Sequence, residues 1–216
     1  MPRVAIVEDH LLLAETLRAA LEHTGVQARV VAAAGSPAEL LADLRAQSCD
    51  LVLLDLDLGS LGDATPLVAP LVRDGMRVLL VTGSEDRMAI AAALEQGAIG
   101  YQPKMAGFGA LLARATEALT ATAPLDPHQR VLLLNELAIV RAARQRDLSA
   151  FDRLTDREAA TLRALARGQS VADIAANWFV SPTTVRSHVR AVLAKLQVAS
   201  QLAAVAAAVR TGWFIG

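Results

Sequence analysis

Residues 51–59 read LVLLDLDLG, four apolar residues that run directly into two aspartates separated by a leucine. A short apolar run that ends in a turn is typical of a strand buried on both faces of a parallel sheet. Further strand candidates occur at 4–7, 26–31, 77–81 and 98–101, with helix-spaced segments between them. We therefore predict an α/β fold, a doubly wound five-stranded parallel sheet covered by helices on both faces.

Polar side chains stand at the carboxyl ends of four of these predicted strands. Because such strand ends converge on one edge of a doubly wound sheet, we expect the side chains to share one site. Carboxylates beside a lysine suit Mg²⁺, and a carboxylate next to that ion can attack a phosphoryl group. The cation, the lysine and a hydroxyl then stabilise the phosphoryl oxygens. The residues are Glu8, Asp9, Asp55, Asp57, Thr82 and Lys104.

Four motifs resemble the CheY-like receiver domain of two-component response regulators: VEDH at 7–10, LVLLDLDLG at 51–59, VTGS at 81–84 and GYQPK at 100–104. The resemblance covers residues 3 to about 121. It implies that a histidine kinase phosphorylates Asp55, and that Mg²⁺ is bound at this acidic pocket.

The resemblance also assigns a role to each member of the site. The implied acidic pocket is Glu8 and Asp9, the Mg²⁺ ligands are Asp9, Asp55 and the backbone carbonyl of Asp57, the phosphoryl contacts are Thr82 and Lys104, and the switch aromatic is Tyr101. Gly59 stands where a proline is common, which predicts a looser loop, and Pro103 before the lysine predicts an altered end to the fifth strand.

Two other functions compete with a phosphorylated regulator. The receiver of an orphan regulator would serve only for docking, but a complete acidic pocket with Asp55, Thr82 and Lys104 disfavours that role. Asp55-Leu56-Asp57 also resembles the nucleophile motif of haloacid dehalogenase-type phosphatases. That motif usually ends the first strand and requires a later acidic pair, so we predict that the chain is not an enzyme.

The charge distribution indicates a second domain. Residues 1–124 carry a net charge of −6 and residues 151–216 carry +4, with no acidic residue after Asp173. A basic rear segment is typical of a domain with a polyanionic partner. With Pro124 and Pro127 as breakpoints, we predict a receiver at 1–123, a helical linker at 124–150 and a DNA-binding domain at 151–216.

The linker has a strong helix start. Asp126 precedes Pro127, which favours an N-cap followed by proline at the first helical position. We predict a helix of roughly 20 residues through Leu148, with Leu133, Leu137 and Val140 on one stripe. This helix either packs on one of the domains or forms a dimer.

The rear segment has helix caps and predicts an all-α helix-turn-helix domain. The caps are Thr155 with Glu158, Ser170 with Asp173, Ser181 before Pro182, and Ser200. Several residues recur at the spacing of a known DNA-binding motif: Leu154 to Glu158, Gly168, Ile174-Ala175, Val180-Ser181, Thr184-Val185, His188 and Lys195-Leu196. Through these residues, the segment 152–210 resembles the NarL/FixJ (LuxR-type) helix-turn-helix. The family commonly has an arginine where this chain has Gln201, which predicts one phosphate contact fewer.

The helix from Pro182 is predicted to enter the major groove of DNA, because its apolar stripe leaves Arg186 and Arg190 on one exposed face. The candidate DNA-binding residues are Thr183, Thr184, Arg186, Ser187, His188, Arg190 and Lys195.

The expected partners are duplex DNA, a cognate sensor histidine kinase, a second copy of the chain and, as a further candidate, RNA polymerase. With a single cysteine and no apolar run long enough for a membrane, we expect a cytoplasmic protein.

Overall fold

The structure, a computed structural model, describes residues 1–33, 35–83, 86–120 and 125–213. Two predicted features, Ser84 of the third motif and Pro124 at the domain boundary, lie outside the described residues. The chain divides into two compact units, Met1–Ala138 and Ile139–Gly216.

Five parallel strands form the centre of the first unit: β1 (Arg3–Val7), β2 (Gln27–Val31), β3 (Leu51–Leu54), β4 (Arg77–Thr82) and β5 (Gly100–Pro103). Their order is β2-β1-β3-β4-β5, which confirms the predicted doubly wound sheet. The strand order reverses between β1 and β3, and doubly wound folds bind ligands beyond the carboxyl ends of the strands at such a reversal. The β1 and β3 strands are in register from Val4 opposite Leu51 to Val7 opposite Leu54.

Helices cover both faces of this sheet, as predicted. They are α1 (Leu11–His23), α2 (Pro37–Gln47), α3 (Thr65–Arg73), α4 (Arg87–Glu95) and α5 (Phe108–Thr120). One apolar cluster joins α1 and α5 to the sheet, and the other joins α2, α3 and α4 to it. The capping box that begins α2 is confirmed: Ser36 Oγ accepts from Glu39 N, and the Glu39 carboxylate accepts from Ser36 N.

The fifth strand lies two residues later than predicted, at Gly100–Pro103 instead of 98–101. Because β5 is an edge strand, Pro103 can close it without leaving a ladder hydrogen bond unmade in the sheet. Pro103 pairs in register with Thr82, so the residue after it, Lys104, begins next to the end of β4.

A long helix, α6 (Pro127–Phe151), follows with 25 residues, slightly longer than predicted. Its residues up to Ala138 belong to the first unit. Leu133 and Leu137 are buried in the cluster that contains α4. The three residues of the predicted stripe all lie on α6, but Val140 is 50% exposed because it lies beyond Ala138, where the first unit ends.

Up to residue 213, the second unit contains four further helices, which confirms the predicted all-α domain: α7 (Asp156–Ala166), α8 (Val171–Asn177), α9 (Pro182–Leu196) and α10 (Gln201–Thr211). The predicted caps are present, with side-chain oxygens of Thr155, Ser170, Ser181 and Ser200 accepting from backbone N–H groups. Its core includes Phe151 stacked on Trp213 with ring centroids 5.1 Å apart.

Among the described residues, no single helix has the length and apolar composition of a membrane span. The pair α9 and α10, bent by 57°, reaches that threshold by length and composition only.

Candidate functional site

The first candidate site lies beyond the ends of β1, β3 and β5. Glu8 and Asp55 are 5% and 3% exposed, so both carboxylates are removed from most of the solvent. Lys104 Nζ lies 2.7 Å from Glu8 Oε1 and 2.6 Å from Asp55 Oδ2. The structure therefore brings together three of the predicted residues, which are distant in sequence, through one ammonium group.

Neighbouring charges shift the pKa values of Lys104 and Asp9 towards their charged forms. Desolvation by itself lowers the pKa of Lys104, but hydrogen bonds to Asp55 and Glu8 outweigh it and hold this pKa above its usual value. Desolvation raises the pKa of Asp9, yet the neighbouring His10 and Lys104 bring the net pKa below its usual value. The lysine and Asp9 therefore stay charged at neutral pH.

A divalent cation fits this arrangement. Ligand atoms of Glu8, Asp9, His10 and Asp55 all lie within 4.8 Å of one another. Several carboxylate oxygens with one lysine suit a hard cation, which prefers oxygen ligands. Sequence reasoning did not include His10 in this cluster, where its Nδ1 is 2.7 Å from Asp9 Oδ1 and 3.0 Å from Glu8 Oε1.

The loop after Asp55 is shaped by Asp57 and Gly59. Asp57 N–H donates to Asp55 Oδ1 at 3.3 Å, and Asp57 Oδ1 accepts from Gly59 N–H at 3.2 Å. Gly59 has φ +59°, and a Cβ on it would lie 3.0 Å from Asp9 Oδ2. A proline is incompatible with this positive φ and with the N–H that Gly59 donates. Glycine at this position therefore lets the loop approach Asp9.

Thr82 and Tyr101 occupy neighbouring strands. Thr82 ends β4 and is 1% exposed. The aliphatic part of the Lys104 side chain lies next to the following residue, Gly83: a Cβ built on Gly83 would be 3.8 Å from Lys104 Cδ. Tyr101 is half-buried in β5 and packs against the cluster that contains α4. Thr82 is thus placed at the same sheet edge as Asp55, while Tyr101 adjoins the α4 side of the sheet.

The second candidate site is the outer face of α9. Val185, Val189 and Val192 are buried in the second unit, as predicted, while Arg186 and Arg190 are exposed. Thr183, Thr184 and Ser187 are also exposed, and His188 is half-buried. The N-terminus is capped by Ser181, whose Oγ accepts from Thr184 N at 3.1 Å. A short polar, cationic face of this kind fits a DNA groove.

Lys195 differs from the other predicted DNA contacts. Its ammonium donates to Glu158 Oε2 at 2.6 Å, and Glu158 is 7% exposed. This ion pair links α9 to α7 within the second unit, and the DNA contact of Lys195 stays a prediction.

Comparison with known proteins identifies both units. Residues 4–116 match the family model "Response regulator receiver domain", and residues 152–208 match "Bacterial regulatory proteins, luxR family". The "Probable transcriptional regulatory protein NarL" of Mycobacterium tuberculosis H37Rv is 33% identical over 214 residues, covering 96% of this chain and 94% of that protein. NarP of Escherichia coli K12, a "Nitrate/nitrite response regulator protein", is 33% identical over 206 residues, covering 94% and 92%.

A solved structure agrees in fold. The "Structure of two RcsB dimers bound to two parallel DNAs" is matched over 95% of this chain and 97% of that one, with 22% identity and a TM-score of 0.51.

The receiver sheet with its acidic pocket, followed by a LuxR-type helix-turn-helix, defines a transcriptional response regulator. Within that class, the chain belongs to the NarL/FixJ family.

Proposed function

We propose that Asp55 is the phosphoacceptor and that its phosphorylation controls DNA binding by the α9 face. The observation that carries this proposal is the contact of Lys104 with both Glu8 and Asp55, at the point where the strand order reverses. This contact places the buried Asp55 carboxylate directly beside a cation, which can neutralise the charge of an incoming phosphoryl group.

The transfer uses groups of this chain. An Asp55 Oδ forms a bond to phosphorus as the P–N bond to the histidine of a sensor kinase breaks, and the departing imidazole takes up a proton. Lys104 then moves its hydrogen bond from Asp55 to a phosphoryl oxygen, and the Thr82 hydroxyl donates to another. Mg²⁺ would be held by Asp9, Asp55 and the backbone carbonyl of Asp57, beside Glu8, and would supply charge neutralisation. The product is an aspartyl phosphate on the chain itself, with one phosphoryl group per chain. We therefore propose that the chain acts as the phosphate acceptor and not as an enzyme.

The boundaries that we propose are a receiver at 1–123, a helical linker at 124–150 and a DNA-binding domain at 151–216. For the duplex contacts we propose Thr183, Thr184, Arg186, Ser187, His188 and Arg190, which lie on α9. Phosphates at the N-terminus of α9 would also meet its positive dipole end.

The chain is proposed to act as a homodimer on paired half-sites. A stripe of exposed apolar residues on α10 supports self-association: Leu202 is 79% exposed, Val209 is 63% exposed, and Ala206 lies between them at the i+4 position. A dimer bound near a promoter would also be placed to contact RNA polymerase. The proposed location is the cytoplasm, where a kinase and DNA are both accessible.

The test is incubation of the full chain with acetyl phosphate and Mg²⁺, followed by intact mass measurement. One acid-stable but base-labile phosphoryl adduct is expected, absent in Asp55→Asn and retained in the neighbouring Asp63→Asn control. Phosphate-free wild-type protein under all conditions would contradict the proposal and favour a docking receiver, and continuous hydrolysis of phosphate esters would indicate a phosphatase.

A further inference from the structure

Polar contacts tie α6 to both ends of α4 within the first unit. Arg87, the first residue of α4, forms a two-point contact with Glu136, its Nε and Nη2 lying 3.0 and 2.9 Å from the two carboxylate oxygens. At the other end, Arg130 donates to the carbonyl oxygens of Leu94 at 2.6 Å and Ala98 at 2.8 Å. Because the earlier residue of α6 meets the later end of α4, the two helices run antiparallel.

Apolar contact fills the space between these anchors. Leu133 and Leu137 are 3% and 6% exposed and belong to the cluster that contains Ile90 and Leu94 of α4. The last turn of α4 has no basic residue of its own. Arg130 therefore supplies the cation that the carbonyl end of a helix favours.

The start of α4 adjoins the phosphoacceptor loop. Asp86 caps α4 by accepting from the N–H groups of Met88 and Ala89. Asp86 and Ala89 line a cavity of about 300 Å³ together with Asp57, two residues beyond Asp55. The first turn of α4 thus borders a cavity beside the loop that follows Asp55, and Arg87 is separated from Thr82 by only four residues.

We propose that residues 127–138 form a latch on α4, which opens when the receiver is phosphorylated. The inference rests on the proposed function, since it takes phosphorylation of Asp55 as its trigger. When Thr82 turns towards the phosphoryl group, the start of α4 is displaced, and Glu136 cannot follow Arg87 while Arg130 stays on the last turn of α4. A two-point arginine–carboxylate contact depends on orientation, so displacement breaks it first. The opened latch exposes Leu133 and Leu137 together with the outer face of α4.

The latch is tested by amide hydrogen exchange on the full chain, with and without acetyl phosphate and Mg²⁺, while intact mass reports phosphate uptake in the same sample. Phosphorylation should speed exchange of peptides within 127–138 about tenfold, since local opening governs their protection. Glu136→Gln should speed the same peptides about two- to fivefold without phosphate, because exposed ion pairs contribute little individually. The matched control is Glu117→Gln, which removes an exposed ion pair with Arg114 on α5 and should leave residues 127–138 unchanged.

The possible outcomes separate the latch from the proposed function. A fully phosphorylated chain with unchanged exchange at 127–138 overturns the latch and leaves the proposed function intact. A chain that takes up no phosphate contradicts the proposed function, and with it the phosphate control of the latch. If Glu136→Gln and Glu117→Gln have the same effect on 127–138, the Arg87–Glu136 contact does not hold the latch.

Discussion

Lys195, near the end of α9, donates to Glu158 of α7 across 37 residues of sequence, with Nζ 2.6 Å from Oε2. The same carboxylate accepts from Thr155 N–H at 2.7 Å. Glu158 therefore fixes the start of α7 and also ties that helix to the helix proposed to contact DNA. Burial raises the pKa of Glu158, but the hydrogen bonds from Lys195 and Thr155 outweigh this effect, and the net pKa lies below its usual value.

The pH dependence of the second unit follows from this pKa. A carboxyl group with a lowered folded-state pKa stabilises the fold above its unfolded-state pKa of about 4.3, and this contribution is lost as pH falls through the lower, folded-state value. Glu158→Gln should therefore be less stable than wild type at pH 7, and the difference should shrink below about pH 4.3. Urea unfolding followed by tryptophan fluorescence measures this, because both tryptophans, Trp178 and Trp213, lie in the second unit.

The control for that measurement is Asp156→Asn, an exposed acid in the same first turn of α7. It should change stability only slightly at either pH. An equal loss of stability in Glu158→Gln at pH 7 and at a pH well below the folded-state pKa would contradict the role given to ionised Glu158.

Arg186 and Arg190 should have separable effects on DNA binding. If Arg186 reads a base edge, Arg186→Ala costs about 1–3 kcal/mol and relaxes preference at one position of the operator. If Arg190 contacts phosphate, Arg190→Ala weakens all sequences alike and flattens the slope of log affinity against log salt by about one unit. Titration of labelled duplexes over a salt series measures both, with Arg167→Ala outside α9 as the control. Unchanged affinity and slope in both α9 variants would place the DNA interface elsewhere.

Removal of the Lys104 ammonium should make the stability of the first unit depend more strongly on Mg²⁺. Lys104→Met leaves the buried carboxylates of Glu8 and Asp55 without their cation, which should cost on the order of 1–3 kcal/mol in a chelator. Added Mg²⁺ should restore more stability in this variant than in wild type, because the ion replaces the lost charge. Thermal unfolding with and without Mg²⁺ tests this, and a variant insensitive to Mg²⁺ would show that the acidic cluster does not hold the ion.

A side chain at residue 59 should weaken Mg²⁺ binding, in addition to the loss of stability that any side chain causes at a positive φ. Gly59→Ala and Gly62→Ala both place a side chain at positive φ, but only the Cβ at residue 59 meets Asp9 Oδ2, whereas nothing lies within 4 Å at residue 62. Both should lose about 1–2 kcal/mol of stability. Only Gly59→Ala should also weaken Mg²⁺ affinity in calorimetric titration, and equal affinities in the two variants would refute the contact with Asp9.

Truncation to alanine should lower the stability of the chain much more at Leu137 than at Val140. Leu137 is 6% exposed in the first unit, so Leu137→Ala should cost about 2–4 kcal/mol. Val140 is 50% exposed, so Val140→Ala should stay within about 0.5 kcal/mol. Urea unfolding followed by far-ultraviolet circular dichroism compares them, and similar losses in both would show that Val140 is as buried as Leu137.

Local signals made much of this fold predictable. Short apolar runs mark the buried strands. The hydroxyls of Ser36 and Thr155 accept hydrogen bonds from N–H groups three residues further on, so these helix caps can be identified from spacing alone. The strand ends could also be assembled into one site, because a parallel sheet brings residues as distant as Glu8 and Lys104 to one edge.

Features that depend on unrelated segments were not predictable. No spacing rule connects Glu158 with Lys195, so this ion pair could not be predicted from the sequence. Similarly, the three candidate positions on α6 look equivalent in sequence. Only the end of the first unit distinguishes Leu137 from Val140.

The docking of α6 on α4 limits where this gene could recombine with that of another regulator. The receiver match ends at residue 116, yet Arg130, Leu133 and Leu137 still complete the first unit. A crossover just after residue 116 would join a foreign helix to α4 and leave an apolar surface without its native cover. A crossover beyond residue 138 would carry the first unit away intact, so the unit of exchange in evolution extends past the matched receiver by the first three turns or so of α6.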